Sequence, residues 1–115
     1  MRKMELELWG EKYQLKIVQS RYANNNNLAI QLYCRNVEDD GSEWWEPFAT
    51  LTTNVNENHE DEYLATIDTN NCPWAESLIS KYCLGKATGR YEMSGFCTYP
   101  IYLMDKAALK CFEEQ

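Results

Sequence analysis

The stretch Ile67-Asp68-Thr69-Asn70-Asn71-Cys72-Pro73-Trp74-Ala75-Glu76-Ser77-Leu78-Ile79-Ser80-Lys81-Tyr82-Cys83-Leu84-Gly85 decides the fold. It reads as a strand end, a polar turn and a helix. Asp68-Thr69-Asn70-Asn71 supplies side chains that hydrogen-bond the local backbone, as turns require. Pro73 suits a first helical position, where its missing N–H costs nothing. Trp74, Leu78 and Tyr82 recur at i, i+4 and i+8, with Ala75 and Ile79 beside them, which predicts a helix over Pro73–Leu84. Glu76 and Lys81 complement its dipole, and Gly85 is the expected left-handed stop.

Outward from this helix the chain reads as strands. Met4, Leu6 and Leu8 alternate with Glu5 and Glu7, and Tyr13, Leu15 and Ile17 alternate with polar residues, so Met4 to Val18 is a hairpin turning at Trp9-Gly10-Glu11-Lys12. Asn24-Asn25-Asn26-Asn27 opposes helix and strand and predicts a polar loop. Leu28 to Cys34 is a third strand, Trp44 to Val55 a fourth and Tyr63 to Asp68 a fifth. Pro47 places the start of the fourth at an edge or bulge. Lys86-Ala87-Thr88-Gly89-Arg90 reads as a connection, because it lacks the lysine-serine ending of a phosphate loop. Ser94-Gly95 marks a turn before a last strand, Phe96 to Met104, which Pro100 places at an edge or bulge. Asp105 caps a short helix from Lys106 to about Phe112. The expectation is one α+β domain: an antiparallel meander of five or six strands packed on one main helix, with a short C-terminal helix.

Composition narrows the function. No apolar run approaches the ~18 residues of a membrane span, and Met1-Arg2-Lys3-Met4 leads into no apolar signal core. A cytoplasmic protein without a membrane role is expected. Cys34, Cys72, Cys83, Cys97 and Cys111 are odd in number and widely spaced, which argues against a disulfide framework and a zinc site. Asn54, Asn56, Asn58 and Glu60 alternate, but a calcium loop counted from Asn54 would need Gly and Glu where His59 and Ala65 stand. No cofactor or metal is expected.

The net charge is −7, and its layout matters more. No Lys or Arg lies between Arg35 and Lys81, an interval holding 11 of the 18 acids. Phosphates would be repelled there, so no direct nucleic-acid binding through this segment is expected, whereas a protein with a basic surface fits. Trp44 and Trp45 are adjacent and, on a strand, point to opposite faces, so at most one enters a two-layer core. An exposed Trp is a common interaction anchor. The candidate partner-binding residues are Glu38, Asp39, Asp40, Glu43, Trp44, Trp45 and Glu46, with Glu57, Glu60, Asp61 and Glu62 in a second acidic loop.

No catalytic set stands out. His59 is the only histidine, in a polar loop. The competing reading is a small thiol-dependent enzyme, or a protein binding a small molecule. Its thiol would be Cys72, at the positive end of the helix where a thiol pKa falls, or Cys97.

Three stretches carry a resemblance: Tyr22-Ala23-Asn24-Asn25-Asn26 with Leu28-Ala29-Ile30-Gln31-Leu32; Asp68-Thr69-Asn70-Asn71 with Pro73-Trp74-Ala75-Glu76; and Leu84-Gly85, Thr88-Gly89-Arg90 and Ser94 to Pro100. Together the pattern resembles a family of short uncharacterised proteins, a domain of unknown function, from gut bacteria and their plasmids and conjugative elements. The resemblance covers most of the chain from Tyr22 onward and brings no catalytic residues. It implies a mobile-element setting, where small acidic proteins inhibit host defence enzymes, some by imitating the charge of DNA. The resulting expectation is a non-enzymatic interaction module, in its sharper form an acidic inhibitor of a nucleic-acid-binding host enzyme.

Overall fold

The structure, a computed structural model, describes residues 3–55 and 58–113. Seven strands and two helices follow in the order β1 (Met4–Leu8), β2 (Glu11–Arg21), β3 (Leu28–Val37), β4 (Glu43–Thr50), β5 (Leu64–Thr66), α1 (Ala75–Lys81), β6 (Gly85–Ser94), β7 (Cys97–Met104) and α2 (Lys106–Cys111). The architecture is α+β, and the sheet differs from the expected single meander. Strands β1-β2-β3-β4 form one antiparallel sheet, and β5-β7-β6 form a second. Residues 51–53 join the two: Leu51 N donates to Ile30 O at 2.9 Å, while Thr53 N donates to Thr66 O at 2.9 Å.

In the first sheet, Met4 faces Leu15, Leu15 faces Cys34 and Ile17 faces Leu32, so one face is continuously apolar. Its first turn has positive φ at both central residues, Trp9 (51°) and Gly10 (79°), the conformation of a tight hairpin. On the edge strand β4 the register slips, with Ala49 opposite Leu32 but Pro47 opposite Tyr33. Phe48 is therefore the extra residue of a bulge, beside a proline with no ladder donor. The bulge brings Phe48 to 4.9 Å from the Tyr13 ring and 6.0 Å from Trp74.

The main helix is shorter than its apolar spacing suggests. Pro73 and Trp74 belong to the preceding turn, in which Ala75 N donates to Cys72 O at 2.9 Å. Cys83 (φ 53°), not Gly85, takes the left-handed stop, and Leu84 N then closes on Ile79 O at 2.9 Å. Gly85 is glycine for a different reason. It opens β6, and a Cβ there would lie 2.7 Å from the Leu103 carbonyl oxygen.

The segment read as a connection, 86–90, is part of β6. Sequence alternation could not reveal it, because almost all of β6 is exposed on both faces and Glu92 is its only buried side chain. Pro100 lies on β7, the central strand of the second sheet. It is tolerated there because β6 bulges opposite it between Ala87 and Tyr91, with Gly89 at φ 81° and Thr88 Oγ1 donating to Ile101 O at 2.8 Å.

Both helices close the core. Leu78 and Ile79 of α1 and Leu109 of α2 are buried with Leu32, Leu51, Ile67 and Leu84. Asp105 caps α2 as its position implies, its Oδ1 accepting from Ala108 N at 3.0 Å. Phe112, fully buried, meets Tyr82 edge-on at 5.3 Å, and Ile17 N donates to its carbonyl at 2.8 Å.

Candidate functional site

The register fixes which loops share an end. Leu8 pairs with Glu11 and Val37 with Glu43, so the Trp9–Gly10 turn and the turn at 38–42 lie together at one end of the four-stranded sheet. Arg21 pairs with Leu28, so the asparagine loop lies at the other end. The acidic turn is ordered by its own backbone. Glu38 N donates to Ser42 O at 2.8 Å and Gly41 N to Glu38 O at 2.9 Å. Asp40 Oδ1 accepts from Ser42 Oγ at 2.7 Å and Ser42 N at 2.9 Å, which holds the Asp40 carboxyl below its ordinary value.

Three apolar side chains stand out into solvent at this end: Trp9 is 90% exposed, Val37 55% and Trp44 43%. Glu38, Asp39, Asp40, Glu43 and Glu46 are exposed around them. Neither Trp of the adjacent pair enters the core. Trp44 shares the face of Cys34 and Asn36, beyond the packed core; Trp45, on the outer face, is half-buried beneath Lys16, whose Nζ lies 4.7 Å over the ring. Trp9 was not singled out from sequence, because a turn residue gives no periodic signal.

The second acidic loop does not join this surface. Asn25 Nδ2 donates to Asn54 Oδ1 at 3.0 Å, Asn54 Nδ2 donates to Asn24 Oδ1 at 2.7 Å, and Asn27 Oδ1 accepts from His59 N at 3.0 Å. The asparagine run thus holds Asn54 and His59 at the opposite end of the sheet. Glu57 lies outside the described residues. Glu60 is paired with Arg90, whose hydrogen bond lowers the Glu60 carboxyl pKa. Asp61 and Glu62, with Tyr63, Leu103 and Lys106, line an open cleft of about 690 Å³.

The loop is anchored by His59, expected as an exposed polar residue and found buried. Its side chain is 5% exposed and that of Glu92 6%. Nδ1 lies 3.0 Å from Leu64 O, which can only accept, so Nδ1 carries a proton. Nε2 lies 2.7 Å from Glu92 Oε1, so one proton is shared between them. Thr66 Oγ1 donates to the same carboxylate oxygen at 2.5 Å and lies 3.2 Å from Nε2. Among the described residues Glu92 Oε2 has no hydrogen-bond partner, although it is buried. A hydroxyl, an imidazole and a carboxylate therefore meet, but not as a nucleophilic triad. Hydroxyl and carboxylate both sit on Nε2, and Thr66 is 2% exposed. The geometry suits an anchor for a loop, not an attack on a substrate.

The thiols named in the competing reading sit in different surroundings. Burial, with the Asp68 charge adding to it, pushes Cys72 up to about 11, the reverse of the activation expected from a helix terminus. Its Sγ donates to Thr50 O at 3.5 Å. The cause is local: α1 begins at Ala75, past Cys72. Cys97 is half-buried on β7 and hydrogen-bonds Tyr99, raising the Tyr99 phenol. Cys83 and Cys111 are exposed. Among the described residues no group of three His, Cys, Asp or Glu side chains could hold a metal ion. No helix among them is long and apolar enough to cross a membrane.

Comparison with known proteins finds no match among curated proteins and none among solved structures. Residues 14–115 match a family described as a domain of unknown function (DUF4313). With nearly its whole length matched, the chain belongs to the DUF4313 family.

Proposed function

We propose that the protein is a non-enzymatic interaction module that docks the acidic end of its four-stranded sheet onto a partner with a basic surface. One observation carries this reading: Trp9, Val37 and Trp44 are exposed at the same end as Glu38, Asp39, Asp40, Glu43 and Glu46. Apolar anchors desolvate well and hold a complex, while a surrounding field of one sign speeds encounter and selects the partner. In its sharper form the partner is a nucleic-acid-handling enzyme whose phosphate-binding surface the acids occupy, in the mobile-element setting that the sequence resemblance implies.

The test is affinity capture with two baits, the protein and its Glu38→Lys/Asp39→Lys/Asp40→Lys variant, at low and high salt. A basic protein retained by the first bait alone, and released by salt, is the expected result. Equal retention by both baits, or retention indifferent to salt, overturns the reading.

A further inference from the structure

We propose that Trp44 and Glu46 form a seat for the guanidinium of an arginine presented by the partner; this deepens the interaction reading above and rests on it. The two faces of β4 carry the same pair of groups. On the outer face, Trp45 has Lys16 Nζ 4.7 Å over its ring. Glu43, two residues away, accepts from Arg35 Nε at 2.8 Å and also from Nη2. An aromatic ring and a carboxylate thus stand side by side, each satisfied by a cation of this chain.

The inner face repeats the pair at the same spacing, with Trp44 and Glu46 two residues apart and so on one side of the strand. Here the described residues supply no cation. Among the described residues no lysine or arginine pairs with Glu46 or lies over Trp44. Their cross-strand neighbours are Asn36 and Cys34, neither of them basic. Glu46 instead faces the Cys34 thiol, with Oε1 at 3.9 Å from Sγ; after burial, the Glu46 charge is the next cause that raises that thiol. The Tyr13 and Phe48 rings, 4.9 Å apart, extend the aromatic surface along the same face. Negative charge beside exposed indole is complementary to a cation. A guanidinium fits better than an ammonium, because its plane stacks on the ring while its edge donates two hydrogen bonds to one carboxylate.

The test is calorimetric titration with an end-capped hexa-arginine peptide, with hexa-lysine in parallel. The probes are applied to the protein and to Trp44→Leu, Glu46→Gln, Trp45→Leu and the triple-lysine turn variant. Circular dichroism checks that each variant is folded. Trp44→Leu and Glu46→Gln should each weaken hexa-arginine binding about tenfold. Trp45→Leu should not change it, and hexa-lysine should bind more weakly. Binding lost by the turn variant but unchanged by Trp44→Leu and Glu46→Gln overturns the seat and leaves the acidic-surface reading standing. Equal affinity for the two peptides overturns the assignment to arginine. No binding of hexa-arginine overturns the seat, and the two-bait capture then decides the wider reading independently.

Discussion

His59 Nε2 lies 2.7 Å from Glu92 Oε1, joining a loop to a strand 33 residues away with both side chains buried. Around this contact the second acidic loop is fastened to the second sheet. Removing His59 leaves the buried Glu92 carboxylate with only the Thr66 hydroxyl, among the described residues, to compensate it. His59→Ala should destabilise the fold by about 3 kcal/mol or more, read by urea unfolding, and should expose residues 58–62 to proteolysis. A loss below about 1 kcal/mol, in the range of an exposed pair, would show that the contact does not anchor the loop.

Alkaline stability follows from Cys72 and Tyr102. Burial, and next a hydrogen bond to Glu76 Oε1 at 2.7 Å, push the Tyr102 phenol up to about 12. Both groups hold their protons more tightly folded than unfolded, so their contribution is complete below the unfolded values. It is lost as pH rises from about 9 through about 11 for Cys72, and from about 10 through about 12 for Tyr102. Urea midpoints should fall across this window, and Cys72→Ala should flatten the lower part. An unchanged slope in Cys72→Ala would contradict the assignment.

Thiol reactivity should follow burial. Alkylation near neutral pH should label Cys83 and Cys111 first and Cys34 and Cys72 last, as read by peptide mass mapping. A Cys72 that reacts before Cys83 would revive the thiol-enzyme reading.

Trp9 occupies a left-handed conformation that favours glycine or asparagine, and it is almost fully exposed. Trp9→Asn should therefore stabilise the fold by about 0.5–1 kcal/mol, raising Tm by several degrees. The same change should weaken partner capture, because an exposed anchor is removed. Stabilisation without loss of capture would take Trp9 out of the proposed surface.

Legibility in the sequence tracked how local the cause was. The Asp105 cap, the first hairpin and the Asp68 turn were readable because their partners lie within a few residues; Asp68 Oδ1 accepts from Asn71 N at 3.1 Å. β6 was not readable, since a strand exposed on both faces carries no alternation. The division into two sheets depends on residues 51–53 reaching both Ile30 and Thr66, which no spacing discloses. At the candidate site, the acids and an exposed Trp at 44 or 45 were visible as composition; that Trp44 is the more open of the two was not. That the two acidic segments lie at opposite ends follows only from strand register. The burial of His59 was invisible because Glu92 is remote in the chain.

Photo-crosslinking reads whether the acidic end docks on a basic partner. A benzoylphenylalanine in place of Val37, opposite Glu43 at the acidic end, is compared with one in place of Tyr91 on the exposed strand β6. A crosslink from position 37 to a basic protein at low salt, lost at high salt, is expected, with none to that protein from position 91. Equal crosslinking from both positions, or a salt-independent adduct at 37, would contradict it.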